Sequence, residues 1–474
     1  FTGTDFAARY SALSQIDEIL PAQPSADDQD LSVQRLICDG ELPLLLSLVL
    51  SDLKGQNSRF KGAASVLREG LNAATDTDGM LHACLTSTAD AWMAPLTRAA
   101  HWSAAFDHSW LHAKDTARLA DTAYACISML TQTGLVASPP DSLRDINTTP
   151  GDVFRHALRA VGVRESSPYT SLANTCSQRQ RGKLKQSRRA RALEPSNQSD
   201  WAESAILRSG LLVDSDLCLI NWDKPQSEIH LAVLGMPLVS GRWDSQVTVN
   251  GSSVGPVEHW HCSCWFSDDE AAFIELEADP TESVHVVRHV MLSLQDHMAV
   301  ICESVTTKDA DAVVRLSSQL PLAAEPLAVT NSITREIVLH SDRISSRVIP
   351  AWLLDDRIQH TTGRCEKDDD HLLSEAEGVG GATVSLLLDW HPDRKAVDAD
   401  WTPLTVTEAR KVQTAQTAAG FRVRVGKRQT LIYRSLQPAE APRAVMGLHT
   451  LNETVYGRVK KSGEVTPLVL VEGE

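Results

Sequence analysis

The stretch AFIELEADPTESVHVVRHVMLSLQDHMAVICESV, residues 272–305, decides the fold of the C-terminal half of the chain. Residues 272–278 alternate apolar with acidic side chains, which is the two-residue period of a strand with two unlike faces. Two further apolar, β-branched runs follow at 284–294 and 298–305, and polar residues separate the runs. We therefore predict three consecutive strands joined by turns.

Similar strand patterns continue on both sides of this stretch, with turn signals such as Gly251 and Gly426-Lys427 between them. Helical patterns do not intervene, so antiparallel pairing is favoured over a parallel α/β sheet. Segment 405–419 is ambiguous by composition, because its alanines and glutamines favour helix, and we assign it to strand by its position. The other predicted strands are 246–250, 336–340, 382–390, 421–425 and 430–434. Residues 201–474 are thus predicted to form a large antiparallel β-sandwich.

The N-terminal third has a different periodicity. Apolar residues recur at helical spacing in 42–50, and segments 91–106 and 115–130 show similar stripes. Gly134 and Pro139-Pro140 end the last of these. We predict an all-α domain over 1–165, with five to seven helices in antiparallel hairpins. Residues 166–200 lose the periodicity and are predicted to be a basic linker or exposed loop. The fold class is therefore α+β and multidomain.

Composition excludes several classes of protein. The formal net charge of −16 argues against a general nucleic-acid binder, which needs a basic face. No apolar run is long enough for a membrane span. The nine cysteines are too scattered for a disulfide framework. Cys262 and Cys264 invite a zinc interpretation, but a matching second pair of ligands is missing, so we expect neither a metal nor a cofactor. The oligomeric state is left open.

Several local motifs resemble the β domain of heparinase II/III-like polysaccharide lyases, over about residues 80–470. They are WAESAILR (201–208), EIHLAVLGMPLVSGRW (228–243), WHCSCW (260–265), RHVML (288–292), YRSL (433–436) and PRAV (442–445). The resemblance implies an (α/α) toroid, complete or partial, ahead of the sandwich, with an active cleft between the two. It also implies β-elimination at a uronic acid of an acidic polysaccharide. A periplasmic or secreted location would follow from the resemblance; the sequence itself leaves a cytoplasmic one open.

One segment departs from the family pattern. Active members carry H-x-H-x-D just before the strand that precedes G-x-P-L-L, whereas this chain has NWDKPQSE at 221–228. Two functions therefore remain. The first is a lyase acting on acidic polysaccharide, and the second is a non-catalytic scaffold of the same architecture that binds a glycan or a protein. A purely structural subunit is a third, weaker alternative.

The chemistry of β-elimination selects the candidate catalytic residues. The sugar carboxylate must be neutralised, a base must remove the adjacent proton, and an acid must protonate the leaving oxygen. We select Tyr169 as acid and His230 or His261 as base. His230 alternates onto the strand face opposite Ile229 and Leu231, which is either a solvated surface or a cleft. His259 and His261 bracket Trp260, either as a functional pair or as a polar outer face.

Substrate-binding candidates come from charge and from aromatic residues. The basic run of 179–191 could bind a polyanion or could be a solvated loop, and from it we select Arg179, Arg181, Arg188 and Arg189. The chain has 11 tryptophans, and sugar rings stack on indoles. We expect most of them to be core, and Trp110, Trp222 and Trp401 to be exposed. Of these, Trp110 and Trp222 join the predicted binding residues.

Overall fold

The computed structural model describes residues 31–137, 149–163, 167–177, 195–323, 327–341 and 344–473. The chain divides into two compact units, Phe1–Ser187 and Arg188–Glu474, which we call the α unit and the β unit. The predicted bounds of 1–165, 166–200 and 201–474 stay a prediction. Among the described residues, no helix combines the length and the apolar character needed to cross a membrane.

The described part of the α unit is mainly helical. A π-helical segment, Leu36–Glu41, links the first two helices, and a 3₁₀ segment, Ala83–Thr88, precedes the fourth. The helices are α1 (Val33–Arg35), α2 (Leu42–Val49), α3 (Gln56–Ala74), α4 (Ala89–Ala105), α5 (Ala113–Ser128), α6 (Pro150–Ala160) and α7 (Pro168–Ser177). The stripes predicted at 91–106 and 115–130 correspond to α4 and α5. Within the predicted linker, Pro168–Ser177 is helical, and Pro168 suits a first helical turn, where its missing N–H is no loss.

Local chemistry explains where these helices begin. At α6, Oγ1 of Thr149 accepts from the N–H of Asp152 at 3.2 Å, and the Asp152 carboxylate accepts from the N–H of Thr149 at 3.2 Å. This reciprocal capping box satisfies two otherwise unpaired donors. Asp115 caps α5 similarly by accepting from the N–H of His112 at 3.2 Å. Across the unit, Arg98 of α4 forms a two-pronged salt bridge with buried Glu41.

The strands pair antiparallel throughout the described residues. In chain order they are β1 (Leu130–Thr131), β2 (Gly134–Leu135), β3 (Asn197–Ser199), β4 (Ser204–Arg208), β5 (Leu217–Asn221), β6 (Glu228–Val233), β7 (Met236–Arg242), β8 (Asp244–Val249), β9 (Ser252–Ser253), β10 (His261–Ser267), β11 (Ala271–Thr281), β12 (Val284–Ser293), β13 (Met298–Thr307), β14 (Val313–Pro321), β15 (Leu327–Thr330), β16 (Ile337–His340), β17 (Ser345–Pro350), β18 (Gly363–Asp368), β19 (His371–Val379), β20 (Gly381–Asp389), β21 (Ala399–Pro403), β22 (Val406–Glu408), β23 (Lys411–Val412), β24 (Ala418–Val425), β25 (Arg428–Ser435), β26 (Arg443–Val445), β27 (Leu448–Thr450), β28 (Thr454–Val459) and β29 (Val465–Val471). All the predicted strands are confirmed, and 405–419 contains strands rather than a helix.

The β unit is layered around an eight-stranded central sheet in the order β10-β11-β12-β13-β20-β17-β16-β15. One face packs on two five-stranded sheets, β3-β4-β5-β6-β7 and β18-β19-β14-β8-β9, through side chains such as Ile274 and Val290. The other face packs on β21-β24-β25-β28-β29, the C-terminal sheet, through side chains such as Phe273 and Met291. A four-stranded sheet, β23-β22-β26-β27, covers the back of the C-terminal sheet. The predicted sandwich therefore has more than two layers.

Candidate functional site

The face of β11 that looks toward the C-terminal sheet changes character along the strand. Phe273 is part of the hydrophobic core, Glu275 is buried and charged, and Glu277 borders open space. Residues two apart in a strand share a face, so one strand leads from the core to a cavity. On the paired strand β12, Met291, His289 and His285 follow the same progression.

We call this space the interlayer cavity. It has a volume of about 570 Å³ and lies between the central and C-terminal sheets. Most of its lining side chains are polar. The charged and titratable ones are His261, Glu275, Glu277, His285, Arg434, Glu453 and Glu472, and Cys264 also lines it. The volume falls within the range of about 300–1,000 Å³ that is typical of small-molecule sites.

Arg434 and Glu275 form a buried ion pair at the inner end of the cavity. Nη1 of Arg434 donates to Oε2 of Glu275 at 3.0 Å and to Oγ1 of Thr454 at 2.8 Å. Ser263 donates its hydroxyl to Oε1 of Glu275 at 2.8 Å. Burial alone would raise the pKa of Glu275, but His289, Arg434 and Ser263 outweigh it and hold that pKa well below its usual range. Glu275 is therefore an ionised carboxylate inside the protein.

His289 extends this pair into the core. Its Nε2 lies 2.5 Å from Oε2 of Glu275, and its Nδ1 lies 2.9 Å from the hydroxyl oxygen of Tyr456. Burial, followed by the positive charge of Arg434, lowers the pKa of His289. A neutral imidazole with its proton on Nε2 suits both contacts, since Nδ1 then accepts from Tyr456. Burial also raises the pKa of Tyr456 well above its usual value, so its hydroxyl stays protonated.

The outer part of the cavity holds the more accessible groups. Nε2 of His261 lies 3.5 Å from Oε2 of Glu277, and Nε2 of His285 lies 3.8 Å from the same oxygen. Glu453 lies 3.8 Å from Arg434. Burial raises the pKa of Glu453, the positive charge of Arg434 opposes this, and the carboxylates of Glu275 and Glu277 reinforce it. The cavity thus combines carboxyl groups whose pKa values are shifted in opposite directions.

The two predicted catalytic histidines lie in different sheets of the β unit. His261 is exposed on the edge strand β10 and lines the interlayer cavity. His259 is exposed and Trp260 is buried, and the role of the two histidines stays a prediction. His230 lies in another sheet, with Nδ1 2.9 Å from Oγ of Ser240 and Nε2 3.9 Å from Glu228. At 5% exposure it is not a surface histidine, because β6 is buried on both faces.

Tyr169 belongs to the α unit. It lies in the first turn of α7, half-buried, with its ring centroid 4.7 Å from that of Tyr124 of α5. The predicted binding residues of the basic run, Arg179, Arg181, Arg188 and Arg189, lie outside the described residues.

The exposure predicted for three tryptophans is wrong. Trp110, Trp222 and Trp401 are 1%, 3% and 1% exposed. Trp222 packs in the core between the central sheet and its neighbours, and the indole N–H of Trp401 donates to the carbonyl of Leu353 at 2.9 Å. Arg68 donates to the carbonyl of Trp110 at 2.8 Å. Trp110 and Trp222 therefore present no face for a sugar ring.

Segment 221–228 makes hydrogen bonds inside the β unit. The side-chain oxygen of Asn221 accepts from Ser204 at 2.8 Å, and the carbonyl of Pro225 accepts from the Trp260 indole at 2.9 Å. Ser227 accepts from Nη1 of Arg288 at 2.6 Å. Within the part of the chain that is described, no group of three or more His, Cys, Asp or Glu side chains is placed to hold a metal ion.

Sequence reasoning missed Glu275, His289, Arg434 and Tyr456 as a group. The sequence carried one signal for them, namely charged or polar residues inside runs that otherwise read as buried strands. Glu275 and Arg434 are 159 residues apart in the chain, and His289 and Tyr456 are 167 apart. Their partners become known only when the sheets are stacked.

Comparisons with known proteins fit this architecture. No protein-family model matches the sequence, and no curated protein matches it significantly. The fold is similar to heparan sulfate lyase HepC from Pedobacter heparinus, with a TM-score of 0.62, 12% identity, and coverage of 91% of this chain and 70% of that one. It is also similar to heparinase III, with a TM-score of 0.61, 10% identity, and coverage of 91% and 71%. The chain therefore has the fold of these polysaccharide lyases.

Proposed function

We propose that this protein acts on an acidic polysaccharide and cleaves it next to a uronic acid by β-elimination. The observation that carries the proposal is the similarity of fold, over 91% of the chain, to a heparan sulfate lyase and to heparinase III. As part of the same proposal, the helices of the α unit belong to an (α/α) toroid.

In this proposal, Tyr169 protonates the leaving oxygen and a histidine removes the proton next to the sugar carboxylate. His261 is the better base because it is exposed, whereas His230 is buried and hydrogen-bonded to Ser240. An arginine from the basic run, Arg179, Arg181, Arg188 or Arg189, neutralises the carboxylate. Neutralisation is needed because the developing negative charge must be stabilised in the transition state.

A second candidate function is binding of acidic polysaccharide without cleavage. The contacts of segment 221–228 favour it. Where active relatives of the family pattern carry histidines and an aspartate, this chain uses Asn221, Pro225 and Ser227 to hold the sandwich interior. A scaffold that has exchanged a catalytic segment for packing would keep the architecture and lose the reaction.

The test is to incubate the full chain with a panel of uronate polymers, including heparan sulfate, and to follow the ultraviolet absorbance of the unsaturated product. Binding to the same polymers is measured in parallel. We expect product from the wild type and, since general acid–base catalysis contributes about 10²–10⁴-fold, a loss of that order in Tyr169→Phe and His261→Gln. His259→Gln, an exposed neighbour, is the matched control and should leave the rate unchanged.

The outcomes separate the two candidates. Binding without product on any polymer supports the scaffold, whereas neither binding nor product would overturn both. If Tyr169→Phe still forms product, the proposed reaction is retained and Tyr169 is not its catalytic acid.

A further inference from the structure

A serine, a histidine and a glutamate lie side by side in the β3-β4-β5-β6-β7 sheet. Oγ of Ser240 on β7 lies 2.9 Å from Nδ1 of His230, which is its register partner on β6. Nε2 of His230 lies 3.9 Å from Oε2 of Glu228, two residues earlier on the same face of β6. A hydroxyl, an imidazole and a carboxylate in this order form the arrangement of a nucleophile beside an oriented base.

The surroundings of His230 determine where its proton lies. The contact with His230 lowers the pKa of Glu228 to about 2; burial opposes this shift, and Lys224, 2.8 Å from Oε1, reinforces it. Among the described residues, Nε2 of His230 is buried without a closer hydrogen-bond partner. A carboxylate can only accept, so the proton of neutral His230 belongs on Nε2. Nδ1 is then free to accept the hydroxyl proton of Ser240.

Ser240 also borders open space, whereas His230 behind it is 5% exposed. The space is a cavity of about 540 Å³ beside the ends of β7 and β14 and the turn between β18 and β19, and we call it the serine cavity. It shares no lining residue with the interlayer cavity. Gly241 has a φ of +137°, and a Cβ there would lie 3.3 Å from Cβ of Pro321. Glycine therefore avoids both backbone strain and crowding next to the hydroxyl.

The walls of the serine cavity suit a small neutral ester. Arg242 faces the same space as Asp244 and Asp370, so the permanent charges nearly cancel and a polyanion is not favoured. Leu322 supplies an apolar wall for a short acyl group. The side chains of Arg242 and His371 offer hydrogen-bond donors for the oxygen that becomes negative when a carbonyl carbon is attacked.

We propose that Ser240 is the nucleophile of a second activity, the hydrolysis of small neutral carboxylic esters such as acetyl esters, with His230 as general base. Nδ1 of His230 takes the hydroxyl proton while Oγ of Ser240 attacks the ester carbonyl carbon. The tetrahedral intermediate breaks its bond to the alcohol oxygen, which leaves with the proton from Nδ1. Water, deprotonated by His230, then cleaves the acyl-serine, and His230 returns the proton to Oγ as the carboxylic acid leaves.

Glu228 is a positioning residue in this reaction, because it acts on His230 and not on the substrate. The whole site lies within the β unit, on strands β6 and β7 and at the serine cavity beside them. Ester hydrolysis at Ser240 is therefore independent of polysaccharide cleavage, and either activity can be present without the other.

The first test is to treat the full chain with a fluorophosphonate, which reacts with activated serines, and to map the labelled peptide by mass spectrometry. We expect one label per chain, on Ser240, and none in Ser240→Ala. Ser252→Ala removes an exposed serine outside the serine cavity and is the matched control, which should label like the wild type. No labelling of the wild type, or labelling at a residue other than Ser240, would overturn the proposal.

The second test is turnover of p-nitrophenyl acetate, followed by the absorbance of the released nitrophenolate. Ser240→Ala should fall to the uncatalysed rate, and His230→Gln should lose about 10²–10⁴-fold, the usual contribution of a general base. Glu228→Gln should lower kcat about tenfold with KM unchanged, because it removes the charge that orients the base.

Circular dichroism checks that each variant is folded. Wild-type protein that does not hydrolyse the ester, or folded Ser240→Ala that hydrolyses it at the wild-type rate, would overturn the proposal. An unchanged kcat in folded Glu228→Gln would overturn the positioning role of Glu228.

Discussion

Two buried arginines of the β unit, Arg288 and Arg434, have similar partners and different surroundings. Each lies on a strand and pairs with a buried glutamate, Arg288 with Glu303 at 2.9 Å and Arg434 with Glu275 at 3.0 Å. Arg288 lies on β12, in the core between the central sheet and the sheets before it. Arg434 lies on β25, where the central and C-terminal sheets separate into the interlayer cavity.

Enclosure distinguishes the two sites. The guanidinium of Arg288 lies between the rings of Trp243 and Trp260, 4.5 Å from each centroid, and Ser227 and Ser245 accept its remaining bonds. Every side of this cation is occupied by the protein, so its role is structural. Arg434 has protein on one side and a cavity on the other. A buried ion pair thus indicates a binding site only where it also borders open space.

The largest expected effect comes from Arg288→Met, because it leaves the carboxylate of Glu303, which is 0% exposed, without its cation. Removing one partner of a buried pair costs about 3–5 kcal/mol in the free energy of unfolding. Urea unfolding measures it. Arg315→Met, which breaks an exposed pair, serves as control and should cost at most about 1 kcal/mol. A loss below about 1 kcal/mol for Arg288→Met would show that this pair is not the structural centre described.

A smaller loss is expected for Arg434→Met. Glu275 would keep the hydroxyl of Ser263 and the contact with His289, and water in the cavity could hydrate it. We expect about 1–3 kcal/mol by the same unfolding measurement. If Arg434→Met were as costly as Arg288→Met, the cavity would make no energetic difference and the comparison would fail.

Tyr456→Phe tests how far the Arg434 site extends into the core. The change removes the donor to Nδ1 of His289 and should cost about 1–2 kcal/mol, because that nitrogen is left buried and unpaired. In a His289→Phe background the same change should cost clearly less, since the contact with His289 is already gone and the hydroxyl keeps only its contact with Cys302. Equal losses of stability in both backgrounds would show that the Tyr456 hydroxyl does not act through His289.

The pH dependence of Glu275→Gln gives the smallest signal. The folded pKa of Glu275 lies below its unfolded value, so the unfolded chain binds the proton first as pH falls. The carboxylate therefore stabilises the fold above about pH 4.5, and this contribution is lost as pH falls through the folded pKa. The stability gap between wild type and Glu275→Gln should narrow over that range. A stability difference that widens as pH falls would contradict the lowered pKa of Glu275 in the folded protein.

Strand positions could be predicted from the sequence because they depend on short-range patterns. The predicted runs 284–294 and 298–305 became Val284–Ser293 and Met298–Thr307, since β-branched residues and turns mark their bounds locally. The number of sheet layers was harder to predict. Strands β12 and β13 are mostly apolar and are buried on both faces, which is the signature of a sheet covered on both sides rather than of a two-layer sandwich.

Single side chains were the least predictable part. Trp222 and Trp401 follow polar residues, which predicts exposure, yet strands distant in the sequence bury them. Of the predicted site residues, His261 lies at the interlayer cavity, because the polar outer face of β10 is a local property. The contact between Glu275 and Arg434 could not be predicted, because the two residues are 159 positions apart and no local sequence pattern indicates which strands will face each other.

The central claim, that this fold acts on acidic polysaccharide, is tested most directly by one measurement. The full chain is incubated with heparan sulfate, and the ultraviolet absorbance of the unsaturated uronate product is followed. The proposal predicts a steady rise with the wild type and a loss of about 10²-fold or more with Tyr169→Phe. A flat trace with heparan sulfate and every other uronate polymer, and no binding to any of them, would contradict it.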